Sequence, residues 1–123
     1  MKSSNCEFGH QGEELAASFL QNKRYKIIDR NWHAGRLGEI DIVALSSNEL
    51  FFVEVKTRHH TNQGWPEESV TPTKIKHLMR ASESYLNQHP QLPKIWHFEV
   101  VAIVLSADNK IFDIKHYQNI HLT

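Results

Sequence analysis

Three features of this 123-residue chain predict an α/β fold in which a mixed sheet is covered by helices. Two β-rich runs, 38–45 and 50–58, flank the polar Ser46-Ser47-Asn48-Glu49, which is a hairpin signal. Apolar residues recur at helical spacing twice, as Leu15, Ala16, Phe19 and Leu20 and as Ile75, Leu78, Met79, Tyr85 and Leu86, with Ser82 in the same inward stripe. Residues 96–105 begin in alternation and become continuously apolar, as a strand buried on both faces does. At this length one domain is expected, spanning 1–123 with its core at about 8–117.

In chain order, the first helix is expected over residues 12–22, with Glu13 and Glu14 in its first turn, where the helix dipole favours anions. Cys6 then falls in a solvent-facing tail, and a single cysteine forms no internal disulfide. Residues 25–32 are β-branched and aromatic enough for a strand, and 33–38 form a loop in which Arg36 is either solvated or a phosphate contact. The polar stretch 59–69 is too long for a tight turn. Its Trp65 reads as a loop anchor packed on the sheet or as a platform for an unpaired base. His59 and His60 point apart on an extended chain and lack partners at finger spacing, so zinc is not expected. Thr71 and Pro72 suit the cap and first position of a second helix that ends before Pro90, with Lys74, Lys76, His77 and Arg80 off its apolar stripe. That basic face runs along a phosphate backbone or is merely solvated. Residues 111–117 alternate as an edge strand.

The chemistry concentrates in the hairpin. If Leu45 lies opposite Leu50, Asp41 faces Glu54 and Glu39 faces Lys56. Like charges so placed destabilise a sheet by some tenths of a kcal/mol to about 1 kcal/mol. Slippage is blocked, because the other face, Ile40, Ile42, Ala44, Phe51, Val53 and Val55, is wholly apolar. A hard divalent cation would resolve the repulsion, and a neighbouring lysine could position a water or neutralise charge on a phosphate. The plain alternative is a half-solvated sheet face with a Glu39–Lys56 surface pair, worth little.

Charge is balanced, 14 Lys and Arg against 14 Asp and Glu, so no global basic excess drives nucleic-acid binding. Its distribution is uneven: residues 23–37 carry net +4, 38–54 net −4, and 55–80 net +3. An acidic pocket between basic segments suits a metal-dependent phosphodiesterase. The N-terminal residues lack an apolar run, and the longest aliphatic run, 100–105, is too short to span a bilayer, so a soluble, cytoplasmic protein without membrane partners is expected.

Asp41 followed by Glu54-Val55-Lys56 resembles the split signature of restriction-endonuclease-like nucleases, in particular the Holliday-junction-resolvase branch. Gly12-Glu13-Glu14-Leu15-Ala16, Arg30-Asn31-Trp32, Gly38-Glu39-Ile40-Asp41-Ile42, residues 52–58 and Val70-Thr71-Pro72 with Lys74 resemble the YraN-like (UPF0102-type) family more closely, over roughly residues 8–105. The resemblance implies a restriction-endonuclease-like mixed sheet with an αβββαβ core flanked by helices. It also implies Mg²⁺ or Mn²⁺ held by Asp41, Glu54 and the Val55 carbonyl with Glu13 assisting, and Lys56 aligning a water for in-line attack on DNA. Lys74, Arg58, Arg36 and Lys76 are the expected nucleic-acid contacts. Branched DNA follows by analogy with resolvases, and a two-fold dimer would suit it. Glu14 is expected to be solvated. Relatives commonly carry glycine where Arg24 stands, which implies a different helix-to-strand turn here, and aspartate where Glu99 stands. A competing reading is a noncatalytic nucleic-acid-binding or scaffold protein that keeps the nuclease fold.

Overall fold

The computed structural model describes residues 3–60 and 71–120. Trp65 and most of the long polar loop lie outside them. The order is α1 (Ser3–Asn22), β1 (Lys26–His33), a 3-10 turn (Gly35–Leu37), β2 (Glu39–Ser46), β3 (Glu49–His59), α2 (Pro72–Gln88), β4 (Trp96–Leu105) and β5 (Ile111–Ile120). Five strands form one sheet in sequence order. Among the described residues only the β3–β4 pair is parallel, and α2 is the crossover that a parallel pair requires. This mixed α/β sheet is consistent with a restriction-endonuclease-like core.

The two helices supply two apolar clusters. Under α1, Ala16, Ala17 and Leu20 pack with Tyr25, Ile42, Ala44, Val53, Val101, Ile103 and Leu105. Under α2, Leu78, Ala81 and Tyr85 pack with Ile40, Val43, Leu50, Phe52, Phe98 and Val100. Both faces of the β2–β3 hairpin are therefore covered along the ladder, and the half-solvated alternative holds only at its end, where Glu39, Asp41 and Lys56 are half-buried. Ile40 also departs from its predicted companions and joins the α2 cluster. The predicted central strand is observed: every residue from Phe98 to Leu105 is buried.

Helix α1 begins at Ser3, about nine residues before the expected start, so Glu13 and Glu14 are mid-helix and owe nothing to its N-terminal dipole. Cys6 lies within this helix and not in a tail. The helix ends in a Schellman arrangement: the Arg24 amide donates to the Gln21 carbonyl at 3.0 Å and the Tyr25 amide to the Leu20 carbonyl at 3.0 Å. Arg24 takes φ +70°, the left-handed conformation that a glycine would favour. The turn is thus the ordinary glycine-type cap, carried by an arginine at some steric cost.

In the hairpin, Leu45 pairs with Leu50 as expected, and Ser46 with Glu49. The turn is shorter than predicted. Only Ser47 and Asn48 turn the chain, at φ 52° and 62°, the type I′ geometry that matches strand twist. The β2–β3 ladder runs to Ile42↔Val53 and stops there. Asp41 and Glu54, and Glu39 and Lys56, are consequently not ladder partners.

In α2, Thr71 Oγ1 accepts from the Lys74 amide at 3.2 Å and Pro72 opens the helix, both as predicted. Ala81 joins Leu78, Ser82 and Tyr85 in the buried stripe, while Ile75, Met79 and Leu86 are only half-buried. No helix among the described residues is long and apolar enough to cross a membrane.

Candidate functional site

Two glycines bring the acidic residues together. At Gly12 a Cβ would lie 1.9 Å from Thr57 Oγ1, so α1 touches β3 there with no room for any side chain. The next residue, Glu13, is thereby held at the sheet. Gly38, at φ +124°, admits the chain into β2 by a conformation that only glycine adopts readily. Glu39 and Asp41 follow at strand spacing and point the same way. Carboxylate oxygens of Glu13, Glu39 and Asp41 all lie within 4.8 Å of one another, and all three residues are half-buried.

Where the ladder stops, Asp41 Oδ2 accepts the Val55 amide at 2.8 Å. This bond anchors the carboxylate but does not remove its repulsions. Burial first, then the charge of Glu54 and those of Glu13 and Glu39, raise the Asp41 pKa to about 8 against the opposing Val55 bond. Without a cation, the cluster keeps a proton at neutral pH.

Glu54 is buried on the α2 side of β3, and its Oε2 meets two ammonium groups, Lys74 Nζ at 2.9 Å and Lys56 Nζ at 3.2 Å. Burial, together with Lys74, lowers the Lys56 pKa against the pull of Glu54. For Lys74 burial acts downward too, but its bond to Glu54 and the Glu54 and Asp41 charges outweigh it, and its pKa is raised. Lys74 therefore holds its proton more firmly than Lys56 does.

The predicted residues divide accordingly. Glu13, Asp41, Glu54, Lys56 and Lys74 come together, and Val55 takes part through its amide. Arg36, in the 3-10 turn, and Lys76, on α2, are exposed, and Arg58 is half-buried two residues beyond Lys56. Sequence reasoning paired Glu39 with Lys56 and so missed it as a member of the carboxylate cluster. The signal was available, since Glu39 and Asp41 share a strand face. Glu14 is exposed, as expected, and from the surface it pairs with Arg30 at 3.1 Å and lies 3.6 Å from His10. Glu99 is buried, accepting from Tyr25 OH at 2.9 Å and from His116 Nε2 at 2.6 Å, so its partners are side chains. His59 Nε2 meets Asn109 Oδ1 at 2.6 Å, whereas His60 stacks on Phe112 at 4.0 Å.

The sequence profile described as "Uncharacterised protein family UPF0102" matches residues 12–103, which include every member of this cluster. The chain belongs to the UPF0102 family. A UPF0102 protein of Syntrophomonas wolfei is 48% identical over 101 residues, covering 82% of this chain and 87% of the relative. Another, from Chloroherpeton thalassium, is 40% identical over 108 residues, 88% of this chain and 83% of the relative. A third, from Caldicellulosiruptor saccharolyticus, is 38% identical over 113 residues, 92% of this chain and 95% of the relative. These UPF0102 relatives bear no name for an activity, so function has to be argued from the site.

Proposed function

We propose that this UPF0102 protein is a divalent-metal-dependent endonuclease that hydrolyses phosphodiester bonds in DNA. The observation that carries this reading is the placing of three carboxylates within 4.8 Å of one another beside two lysines that share Glu54. Hard oxygen donors of this kind fit Mg²⁺ or Mn²⁺, with water completing the shell. Glu13, Glu39 and Asp41 are the donors at hand, and Glu54 and the Val55 carbonyl are the further ones the resemblance implies. A cation so held would acidify water and offset charge developing on the phosphate.

The residues of the chain do the rest. Asp41, fixed by the Val55 amide, orients the acidic cluster from one side. Glu54 holds Lys56 and Lys74 in register. Lys56 aligns the attacking water, and Lys74, at the mouth of the site, neutralises a phosphate oxygen. One observation favours the competing, noncatalytic reading: two lysines already compensate Glu54 and leave it less available as a ligand.

Incubation of the purified protein with linear, flap and four-way DNA and with RNA, under Mn²⁺ or Mg²⁺, separates the two. Cutting that disappears in Asp41→Asn and in Lys56→Ala supports the nuclease. Binding without cutting, equal in wild type and both variants, would establish the scaffold instead.

A further inference from the structure

Next to the carboxylates, between the start of β2 and the first turns of α2, lies a cleft of about 320 Å³. The Gly38 backbone and Glu39 form one wall, Thr73, Lys74 and His77 the other, and the buried Leu78 adds an apolar surface. Gly38 runs close to α2: a Cβ on it would stand 3.7 Å from the His77 Cβ. The glycine backbone and the His77 stem are therefore in near contact there, and the exposed His77 ring is what is left to meet a ligand. Small-ligand pockets span roughly 300 to 1,000 Å³. This cleft is at the lower end, room for one nucleoside and too small for stacked base pairs.

Resting on the phosphodiesterase reading above, we propose that the cleft receives a single unpaired nucleobase adjoining the phosphate that is cut, which makes the substrate a nucleic acid unpaired at the cut and not continuous duplex. Contiguity is the first argument. Glu39 belongs both to the cleft and to the carboxylate cluster, and Lys74 lines the cleft while bridging Glu54, so whatever fills the cleft adjoins the acids. The second argument is the lining itself. The exposed His77 ring offers a stacking face, Thr73 a hydroxyl for a sugar or base edge, Glu39 an acceptor for a base N–H, and Lys74 a cation for phosphate. The third is energetic. A paired base has to be unstacked before it can enter a pocket, at a cost of a few kcal/mol, whereas an unpaired base avoids most of that cost.

The test compares wild type, His77→Ala and Thr73→Trp, the last chosen to fill the cleft, on one oligothymidylate offered as single strand and as duplex with Mn²⁺. In parallel, oligothymidylate is titrated into ¹⁵N-labelled protein without metal. Single strand is expected to be cut at least tenfold faster than duplex, and both substitutions to raise KM for single strand at least fivefold. Amide shifts are expected to centre on Gly38, Thr73 and His77. Equal cutting of single strand and duplex, or indifference to both substitutions, would overturn the cleft assignment and leave the nuclease reading intact. Shifts centred on those three residues without cutting of any substrate would uphold the cleft as a nucleotide site and remove the nuclease.

Discussion

Asp41 is a half-buried acid set among other acids. Its pKa is raised from 3.8 to about 8 by burial and by the neighbouring carboxylates. Between those two pH values the folded protein binds a proton that the unfolded chain does not, so stability is fullest below the ordinary aspartate range and is lost as pH rises through about 8. Without metal, wild type is therefore predicted to lose more stability than Asp41→Asn between pH 6 and 9, as read by thermal unfolding. At the upper pH the variant should melt about 3 to 6 °C higher, the shift that ~1 kcal/mol produces in a domain of this size. Identical pH profiles would show that the carboxyl is not held up. Cation binding has to displace the same proton, so Mn²⁺ affinity should climb with pH up to that value. Gly12 is the other critical residue. Gly12→Ala sets a methyl against Thr57 and is predicted to cost about 1 to 3 kcal/mol. Thr57→Ala on that background should recover part of the loss, measured by denaturant unfolding.

Among the elements, the cap of α1 is strained where it need not be. Arg24 sits at φ +70° in a Schellman turn, so Arg24→Gly is predicted to stabilise by about 0.5 to 1 kcal/mol, with the denaturation midpoint raised and m unchanged. A lowered midpoint would mean that the arginine side chain contributes more than its backbone costs. The start of α1 was illegible because residues 3–11 show no apolar repeat, and periodicity registers only from Leu15 onward. α2 was legible at its start because Thr71 and Pro72 act locally, through a cap bond and a preset φ. The hairpin was legible through Leu45 and Leu50, since alternation and the Ser47-Asn48 turn are local too. The end of its ladder was not. It depends on where Val55 turns its amide to Asp41 and where α1 presses on Thr57, contacts between residues far apart in the chain.

For the molecule as a whole, the sheet brings the two helices to one place from opposite faces, Glu13 arriving on α1 and Lys74 on α2. Lys74 belonged to the expected site only through resemblance, because nothing local to residue 74 announces a bond to Glu54. Glu39 was lost by assuming that the ladder continued to its position. Joining elements through a buried carboxylate has a stability consequence. Glu54→Gln, which leaves two lysines with a neutral partner, is predicted to cost about 1 to 3 kcal/mol. Lys74→Ala removes a group that is 36% exposed and should cost under about 1 kcal/mol. Equal losses would place the weight of the cluster on Lys74 instead. The most direct measurement is calorimetric titration of Mn²⁺ into wild type, Asp41→Asn and Glu39→Gln at pH 8. One saturable site in wild type, lost in Asp41→Asn and at least tenfold weaker in Glu39→Gln, is the predicted result, and heat that is absent from wild type or unchanged in both variants would contradict a metal-dependent site.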